Sequence, residues 1–192
     1  NILKVINPLF MDDLWKEFEE VKTTPILLDT FHKKIASLKF LDPACGCGNF
    51  LIIAYRELRN LEYEILRMKK KSNQLVIDPA LLLKVNVGQF YGIEIEDFPC
   101  QVAQVSMRLV DHLMNMRMIE EFGKPYVRLP LKTRANIIQG NALRMDWNEI
   151  VPSSELSYIF GNPPFLGFSE MKAAQKEDVA LLFGATKNVD YV

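Results

Sequence analysis

The sequence predicts an α/β fold in which helices cover both faces of a mostly parallel β-sheet. Two observations lead to this prediction. Short apolar segments of strand composition alternate with longer segments in which apolar residues recur at helical intervals, and this alternation is typical of a parallel sheet. Each strand-type segment also ends in a loop that contains Gly, Pro or an acidic residue. Because ligands of such sheets bind at the carboxyl ends of the strands, these loops are candidates for a functional site.

The first 38 residues are predicted to be helical. An Asn-Pro step at residues 7 and 8 is a helix start signal, and apolar residues then recur at helical intervals up to Val21. A second helix is predicted to begin at Thr24 and Pro25 and to run towards Leu38. We therefore expect residues 1–38 to form a helical segment that packs on the sheet formed by residues 39–192.

Strand-type and helical segments alternate through the rest of the chain. The predicted strands lie in the segments KFLD (39–42), FYGIEIE (90–96), ANIIQGNAL (135–143) and LSYIFGNPPF (156–165). The predicted helices cover residues 49–71, 98–123 and 169–184, with a short helical piece from residue 79.

Composition limits the class of protein. The chain has 192 residues, of which 49% are hydrophobic, and this is enough for one well-buried core. A net charge of -1 excludes a broad basic surface that coats nucleic acid. Three cysteines give no even disulfide framework, so a reducing compartment is expected, with the cytoplasm as the default location. No apolar run approaches the roughly 20 residues of a membrane span.

The loop LDPACGCGNF (41–50) has the residues of a nucleoside site. Cys45 and Cys47 supply at most two metal ligands, whereas a structural zinc site needs about four, so no metal is expected. No Gly-Lys-Ser/Thr follows, which excludes a phosphate cradle of the Walker type. Gly46 and Gly48 let the backbone approach a ligand beside a helix amino end. Since Asp42 would repel a pyrophosphate and accept hydrogen bonds from an ammonium or hydroxyl group, a zwitterionic nucleoside fits better.

Two further strand ends carry polar groups. Glu94 ends the second strand, where an acid binds ribose hydroxyls in dinucleotide folds, although a solvated strand end is an equal alternative. GNPPF (161–165) ends the fourth strand with a carboxamide, a rigid Pro-Pro turn and an aromatic ring. Taken alone, this segment is as consistent with a plain strand-terminating turn. His32 and His112 each stand alone on a predicted helix and are expected to be partly buried or solvated and not catalytic.

Four motifs together resemble a known family. LDPACGCGNF, YGIEIE, QGNAL and IFGNPPF, in that order, resemble motifs I to IV of the γ group of amino-methylating DNA methyltransferases. The sequence around the four motifs is similar to the methylase part of type IIG or IIL enzymes. These enzymes combine a nuclease, a methylase and a target recognition domain in one polypeptide. The resemblance implies a Rossmann-like class I fold that uses S-adenosylmethionine. It also implies that residues 39–192 are the truncated N-terminal part of the catalytic methyltransferase domain.

The resemblance further implies which residues hold S-adenosylmethionine. Glu94 would bind the ribose, and Ile95 would pack on the adenine. Asn141, followed by Ala142, would bond the adenine amino group, at a position where many relatives have an aspartate. The methionine end would be held by the first loop, with Asp42, Pro43, Ala44, Cys45, Gly46, Gly48, Asn49 and Phe50.

The fourth motif implies the chemistry. An adenine amino nitrogen is a poor nucleophile because its lone pair is delocalised into the ring. The Asn162 oxygen and the Pro163 carbonyl can accept its two hydrogens, while Pro164 keeps the turn rigid. Phe165 would stack on a target base flipped out of the duplex.

Three alternatives to DNA methylation remain open at this point, and one binding partner is expected. A protein glutamine amide is also planar and conjugated, so a protein glutamine methyltransferase could use the same motif. A binding module that has lost activity is the second alternative, and a fragment that methylates nothing alone is the third. Only about four strands are visible where the family's sheet has about seven, so we expect the chain to be part of a larger polypeptide. Double-stranded DNA would then be bound through target recognition segments that these residues lack, and no membrane contact is expected.

Overall fold

The structure is a computed structural model and describes residues 2–71, 83–122, 135–164, 167 and 169–183. The short helical piece predicted from residue 79 lies outside these ranges, as does Phe165.

A parallel sheet organises the fold. Its strands in chain order are β1 (Phe40–Asp42), β2 (Phe90–Glu94), β3 (Asn136–Gln139) and β4 (Tyr158–Ile159). They are arranged in the order β3-β2-β1-β4, and every neighbouring pair is parallel. The predicted α/β class with a parallel sheet is confirmed. Because the order reverses between β1 and β4, the carboxyl ends of these two strands flank the crevice where such sheets bind ligands.

The helices agree with the prediction except at the first one and at the last one, which begins at Ala173 and not at residue 169. Their bounds are α1 (Leu3–Ile6), α2 (Asp12–Val21), α3 (Pro25–Ser37), α4 (Asn49–Lys71), α5 (Asp97–Phe122) and α6 (Ala173–Phe183). Single helical turns of the 3-10 type occur at Val87–Gln89 and Trp147–Glu149. In the described ranges, no helix combines the length and the apolar character needed to cross a bilayer.

The prediction that the first helix begins at Pro8 is wrong. The helix begins at Leu3, and a π-helical turn over Asn7–Met11 joins α1 to α2. In an α-helix, Pro8 would clash with the carbonyl four residues earlier and would leave it without a donor. The wider π turn absorbs both conflicts, so the chain stays helical through the proline.

The two faces of the sheet are covered differently. On one face, Phe40 and Phe90 stack with ring centroids 4.8 Å apart, and Phe10 of the N-terminal helices lies 5.0 Å from Phe40. Helices α1 to α5 share this core. On the other face, Leu41 and Ile93 pack against the segment 142–156, which contains the second 3-10 turn. Alternation of side chains along the strands explains this division. The division of the chain at residues 38 and 39 stays a prediction.

A buried polar network joins α3, α4 and α5. Arg59 is fully buried and donates to the Tyr55 hydroxyl (2.7 Å) and to Asn115 Oδ1 (3.1 Å), and its Nε lies 3.3 Å from Glu62 Oε2. Glu62 Oε1 accepts from His32 Nε2 at 2.9 Å and from the backbone N–H of Val85 at 2.9 Å. Burial lowers the pKa of His32, which keeps the ring neutral. His32 is thus fully buried within this network, and not partly buried or solvated as predicted.

Candidate functional site

The loop between β1 and α4 is a tight turn built on two glycines. Gly46 (φ 53°) and Gly48 (φ 84°) both have a left-handed backbone, which strains any residue with a Cβ. A Cβ on Gly48 would lie 3.2 Å from the Ala103 Cβ, so α5 packs directly on the loop. Within the part of the chain that the structure describes, a Cβ on Gly46 would meet no atom within 4 Å. The loop thus has one packed side and one open side.

Hydrogen bonds tie this loop to the end of β2. The Cys45 N–H donates to the Ile93 carbonyl at 3.0 Å, and the Gly46 N–H donates to Glu94 Oε2 at 2.8 Å. Glu94 Oε1 accepts from the backbone N–H of Glu96 at 3.0 Å. Glu94 is half-buried, and each carboxylate oxygen keeps a second lone pair for a ligand. The predicted methionine loop and the predicted ribose acid therefore lie side by side.

Asp42 carries a buried negative charge at the centre of this arrangement. It is 1% exposed, and its Oδ1 accepts from the Ala44 N–H at 3.0 Å. Burial, reinforced by the charge of Glu94, raises the pKa of Asp42 from 3.8 to about 6. The charge of Glu94 thus disfavours the charged form of Asp42, and a cation bound beside Asp42 would relieve both the burial cost and this repulsion.

The loop cysteines differ in environment. Cys45 is buried, and desolvation raises the pKa of its thiol to about 12, with the charges of Asp42 and Glu94 adding to the shift. A metal needs the thiolate form, which this environment disfavours. Cys47 is exposed on the loop.

The end of β3 joins the same edge of the sheet. The Gly140 N–H donates to the Glu94 carbonyl at 2.8 Å, which places Asn141 beside β2. The Asn141 side chain accepts from the Leu143 N–H at 3.0 Å and donates from Nδ2 to Asp178 at 2.9 Å. The Ala142 carbonyl accepts from the Trp147 indole at 2.8 Å, and this bond holds the turn after β3.

The end of β4 lies against Asp42. The Phe160 N–H donates to the Leu41 carbonyl at 3.0 Å, which extends the pairing with β1 by one bond. A Cβ on Gly161 would be 2.5 Å from Asp42 Oδ1, so the backbone directly before Asn162 touches the buried carboxylate. Asn162 is exposed. The Asn-Pro-Pro segment therefore begins within the crevice that Asp42 borders.

The remaining predicted residues surround these contacts. Ile95 is 56% exposed, which leaves its face free to pack on a ring. The Phe50 and Phe160 rings lie 6.1 Å apart, so the start of α4 also contacts the end of β4. Half-buried positions are occupied by Pro43, Ala44 and Pro163, and exposed ones by Asn49 and Pro164. Phe165 is not among the described residues.

Three residues in contact with the site were not among the predicted site residues, although Gly161 lies in the predicted segment GNPPF. Gly161 contacts Asp42, whereas Asp178 and Arg144 form an ion pair beside Asn141. Asp178 is 4% exposed although it belongs to the predicted helix of residues 169–184. An acidic residue beside the apolar run VALLF was the available signal, but its partner lies 37 positions away and no local pattern indicates it.

A surface cavity of about 770 Å³ lies at the opposite edge of the sheet. Its lining includes Lys39, Gln89, Tyr91 and Ser157, which are at or near the amino ends of β1, β2 and β4. Ligands of parallel sheets bind at the carboxyl edge, so this cavity is not the candidate site.

Comparisons with protein families and with known proteins point to the same family. The family described as MmeI, DNA-methyltransferase domain, matches residues 17–192. DNA methyltransferase A of Bacillus subtilis (strain 168) is 42% identical over 199 residues, which cover 100% of this chain and 22% of the relative. A putative type II restriction enzyme and methyltransferase of Methanocaldococcus jannaschii is 27% identical over 162 residues, covering 82% of this chain and 13% of that protein.

A solved structure is also very similar. It is that of the type IIL restriction-modification enzyme MmeI in complex with DNA, with 50% identity and a TM-score of 0.95. The match covers 100% of this chain and 26% of the MmeI chain. The chain thus spans about a quarter or less of the relatives that it matches.

Proposed function

Because the chain belongs to the family of MmeI DNA-methyltransferase domains, we propose that it methylates adenine in duplex DNA as part of a fused restriction-modification enzyme. The methyl group of S-adenosylmethionine is transferred to the exocyclic amino group of a flipped-out base. One observation carries this proposal beyond family membership. Gly161 packs against Asp42, so the Asn-Pro-Pro segment begins beside the last residue of β1, where the loop to α4 begins.

The residues present fit S-adenosylmethionine as the methyl donor. The bound cofactor supplies an electrophilic methyl group on a positively charged sulfonium. Asp42 and Glu94 offer two neighbouring carboxylates, one with a raised pKa, and such a site favours a cationic ligand. The space above Gly46 is open to a ligand, and the loop lies at the amino end of α4.

Each predicted contact has a role in holding the cofactor. The loop from Asp42 to Phe50 would hold the methionine end, with Asp42 accepting from the ammonium group. Glu94 would accept from the ribose hydroxyls while it still accepts from Gly46. The exposed face of Ile95 would pack on the adenine, whose amino group would donate to Asn141 Oδ1.

The Asn-Pro-Pro segment would activate the target nitrogen. The side-chain oxygen of Asn162 and the backbone carbonyl of Pro163 accept the two amino hydrogens and draw the lone pair out of conjugation with the ring. Prolines on both sides of the second carbonyl limit its movement, so alignment supplies much of the acceleration. Flipping the base costs a few kcal/mol, and stacking on Phe165 would return about 1 to 3 kcal/mol.

DNA contacts are expected mostly from other parts of the polypeptide. A net charge of -1 provides little attraction for phosphates, and the MmeI structure that resembles this chain is a complex with DNA in which the matching part is 26% of the protein. Target recognition and any nuclease activity therefore belong to segments beyond these residues. The cytoplasmic location expected from the cysteine content belongs to the same proposal.

Calorimetric titration of the full-length protein with S-adenosylmethionine tests the pocket. We expect Asp42→Ala and Glu94→Ala each to weaken binding about 10- to 100-fold, because a hydrogen bond to a charged group is worth roughly 1.5–3 kcal/mol. Glu96→Ala is the matched control, since this exposed acid follows Glu94 by two positions. Equal binding by wild type and both site variants would contradict the assignment.

Radiolabelled methyl transfer by the full-length protein separates the substrates. We expect label in duplex DNA, recovered as N6-methyladenine after digestion, and none above background in protein. Asn162→Ala should abolish the transfer while leaving cofactor binding within a few fold. Label on a protein glutamine or on cytosine would show that the substrate is that group and not adenine.

A further inference from the structure

The Asn141 carboxamide lies between two partners of opposite polarity. Its Oδ1 accepts from the Leu143 N–H at 3.0 Å, and its Nδ2 donates to Asp178 Oδ2 at 2.9 Å. A backbone N–H can only donate, and a carboxylate can only accept. Rotating the amide by 180° would therefore place two donors together at one end and two acceptors together at the other.

The Asp178 carboxylate has a fixed position, and it therefore fixes the orientation of the Asn141 amide. It is 4% exposed on α6, and its second oxygen accepts from the Arg144 guanidinium. The ion pair partly offsets the burial cost of the carboxylate. The turn after β3 is further held by the Trp147 indole on the Ala142 carbonyl at 2.8 Å and by the Gly140 N–H on the Glu94 carbonyl at 2.8 Å.

We propose that Asp178 is a positioning residue that makes Asn141 an obligate acceptor, so that the pocket selects a 6-amino purine over a 6-oxo purine. An asparagine alone can present either its oxygen or its amino group to a ligand. With Asp178 in place, the Asn141 oxygen keeps one lone pair directed away from Leu143, and that lone pair is available only to a donor. This inference rests on the proposed function, in which the cofactor's adenine lies against Asn141.

Replacing the carboxylate with an amide removes the constraint. In Asp178→Asn, the new side chain can either accept or donate, so the Asn141 amide can rotate at the cost of its single bond to Leu143. A 6-oxo purine then finds a donor at position 141. The exchange variant combines Asn141→Asp with Asp178→Asn. It again presents only an acceptor to the ligand at position 141, because the new carboxylate there can accept from the ligand, from Leu143 and from the new amide at position 178.

The test compares two product-like ligands in calorimetric titrations of the full-length protein. S-adenosylhomocysteine carries the amino group, and S-inosylhomocysteine carries an oxo group in its place. We expect wild type to prefer the first by about tenfold or more, since a buried site loses that much when two acceptors face each other. Asp178→Asn should reduce the preference several-fold, and the exchange variant should return it to near the wild-type ratio.

Glu177→Gln is the matched control. Glu177 also lies near Arg144, at 3.5 Å, but it is exposed, and the Asn141 amide donates to Asp178 instead. Its variant should keep the wild-type preference. A general loss of stability would weaken both ligands alike, so the ratio separates positioning from a merely structural role.

Each result decides the inference. A wild-type ratio near one, or an unchanged ratio in Asp178→Asn, overturns it while leaving the proposed function intact. Failure of wild type to bind either ligand overturns the proposed function together with the inference. If Asp178→Asn does not fold, Asp178→Ala takes its place: it also removes the acceptor for the Asn141 amide, so a several-fold loss of preference supports the inference and an unchanged preference contradicts it.

Discussion

At the scale of single residues, Asp42 is where burial and charge conflict most directly. It is 1% exposed, and its pKa is raised to about 6 by desolvation and by Glu94. A rise from 3.8 to about 6 corresponds to about 3 kcal/mol, since one pKa unit is about 1.4 kcal/mol. The folded chain thus holds a charge that opposes folding and that a cationic ligand would stabilise.

This conflict predicts a pH-dependent gain of stability in Asp42→Asn. Between pH 3.8 and about 6, folded wild type binds a proton at Asp42 more tightly than the unfolded chain does. Wild-type stability from this group therefore falls as the pH rises through that window and stays low above it. The asparagine carries no such cost and can still accept from Ala44. We expect the variant to be more stable than wild type by about 1–3 kcal/mol above pH 6 and equal to it below pH 4.

Urea unfolding at several pH values measures this difference. His32, whose pKa is lowered by burial, destabilises the folded state at low pH in both proteins, so its contribution cancels in the comparison. A variant that is less stable than wild type at neutral pH would show that Asp42 contributes bonds that outweigh its burial.

Gly161 predicts a second effect at the residue scale. Its Cβ would lie 2.5 Å from Asp42 Oδ1, and Asp42 is too buried to move freely. We expect Gly161→Ala to cost about 1–3 kcal/mol through overpacking. Displacement of the adjacent Asn162 should also lower kcat of DNA methylation about 100-fold.

Gly167→Ala is the control for this substitution. Among the described residues, the atom nearest to a Cβ at Gly167 is Ser169 Oγ, at 4.0 Å, which is an ordinary van der Waals distance. Steady-state methylation and thermal unfolding of both variants check the prediction. A Gly161→Ala enzyme with wild-type kcat would mean that the tip of β4 tolerates displacement from Asp42.

At the scale of elements, the buried network of Arg59 and Glu62 joins α3 to α4 through the hydrogen bond between His32 and Glu62. We expect Glu62→Gln to destabilise the protein by about 3 kcal/mol, at the lower end of the cost of breaking a buried pair, because the fully buried Arg59 keeps only Asp111, at 3.5 Å, as a neighbouring carboxylate. The new glutamine side chain would also offer His32 and Val85 a neutral amide oxygen in place of the charged carboxylate that accepts from both in wild type.

Glu64→Gln provides the comparison within the same helix. Glu64 pairs with Arg67 near the surface, and such pairs contribute about 0–1 kcal/mol. Denaturant midpoints for the two variants measure the contrast. Similar losses in both would mean that the buried network adds no more than a surface pair.

The sequence predicted the long elements well and the local exceptions poorly. Helix α4 has the predicted bounds because Asn49–Lys71 contains no Gly or Pro and keeps one apolar stripe. The π turn at Pro8 was missed because its cost is offset by packing of Phe10 on Phe40, which is a contact across the fold. β4 is only two residues long in the structure, since the pairing with β1 soon gives way to the Pro-Pro segment.

At the scale of the whole molecule, the sheet order explains how much of the site was predictable. Strand ends in a parallel sheet meet at one edge, so Asp42, Glu94, Asn141 and Asn162 could be grouped without coordinates. The resemblance of the four motifs to the methylase part of fused restriction-modification enzymes is confirmed by the family match. The Asp178 contact could not be predicted, because it depends on where α6 folds back.

Hydrogen exchange tests that one ligand contacts all four strand ends. Adding S-adenosylhomocysteine to the full-length protein should slow amide exchange in segments 43–48, 94–96, 140–143 and 161–162 together. Amides of residues 86–89, near the amino edge of the sheet, serve as the internal control and should not change. Protection confined to one of the four segments would contradict a shared pocket.

The unequal environments of the three thiols make the crevice accessible to chemical labelling. Within these 192 residues, Cys47 is exposed beside Gly46, whereas Cys45 and Cys100 are buried with raised pKa values. A maleimide fluorophore therefore attaches at the rim of the crevice in preference to the other two positions. Its emission would follow ligand occupancy in real time without any engineered residue in this part of the chain.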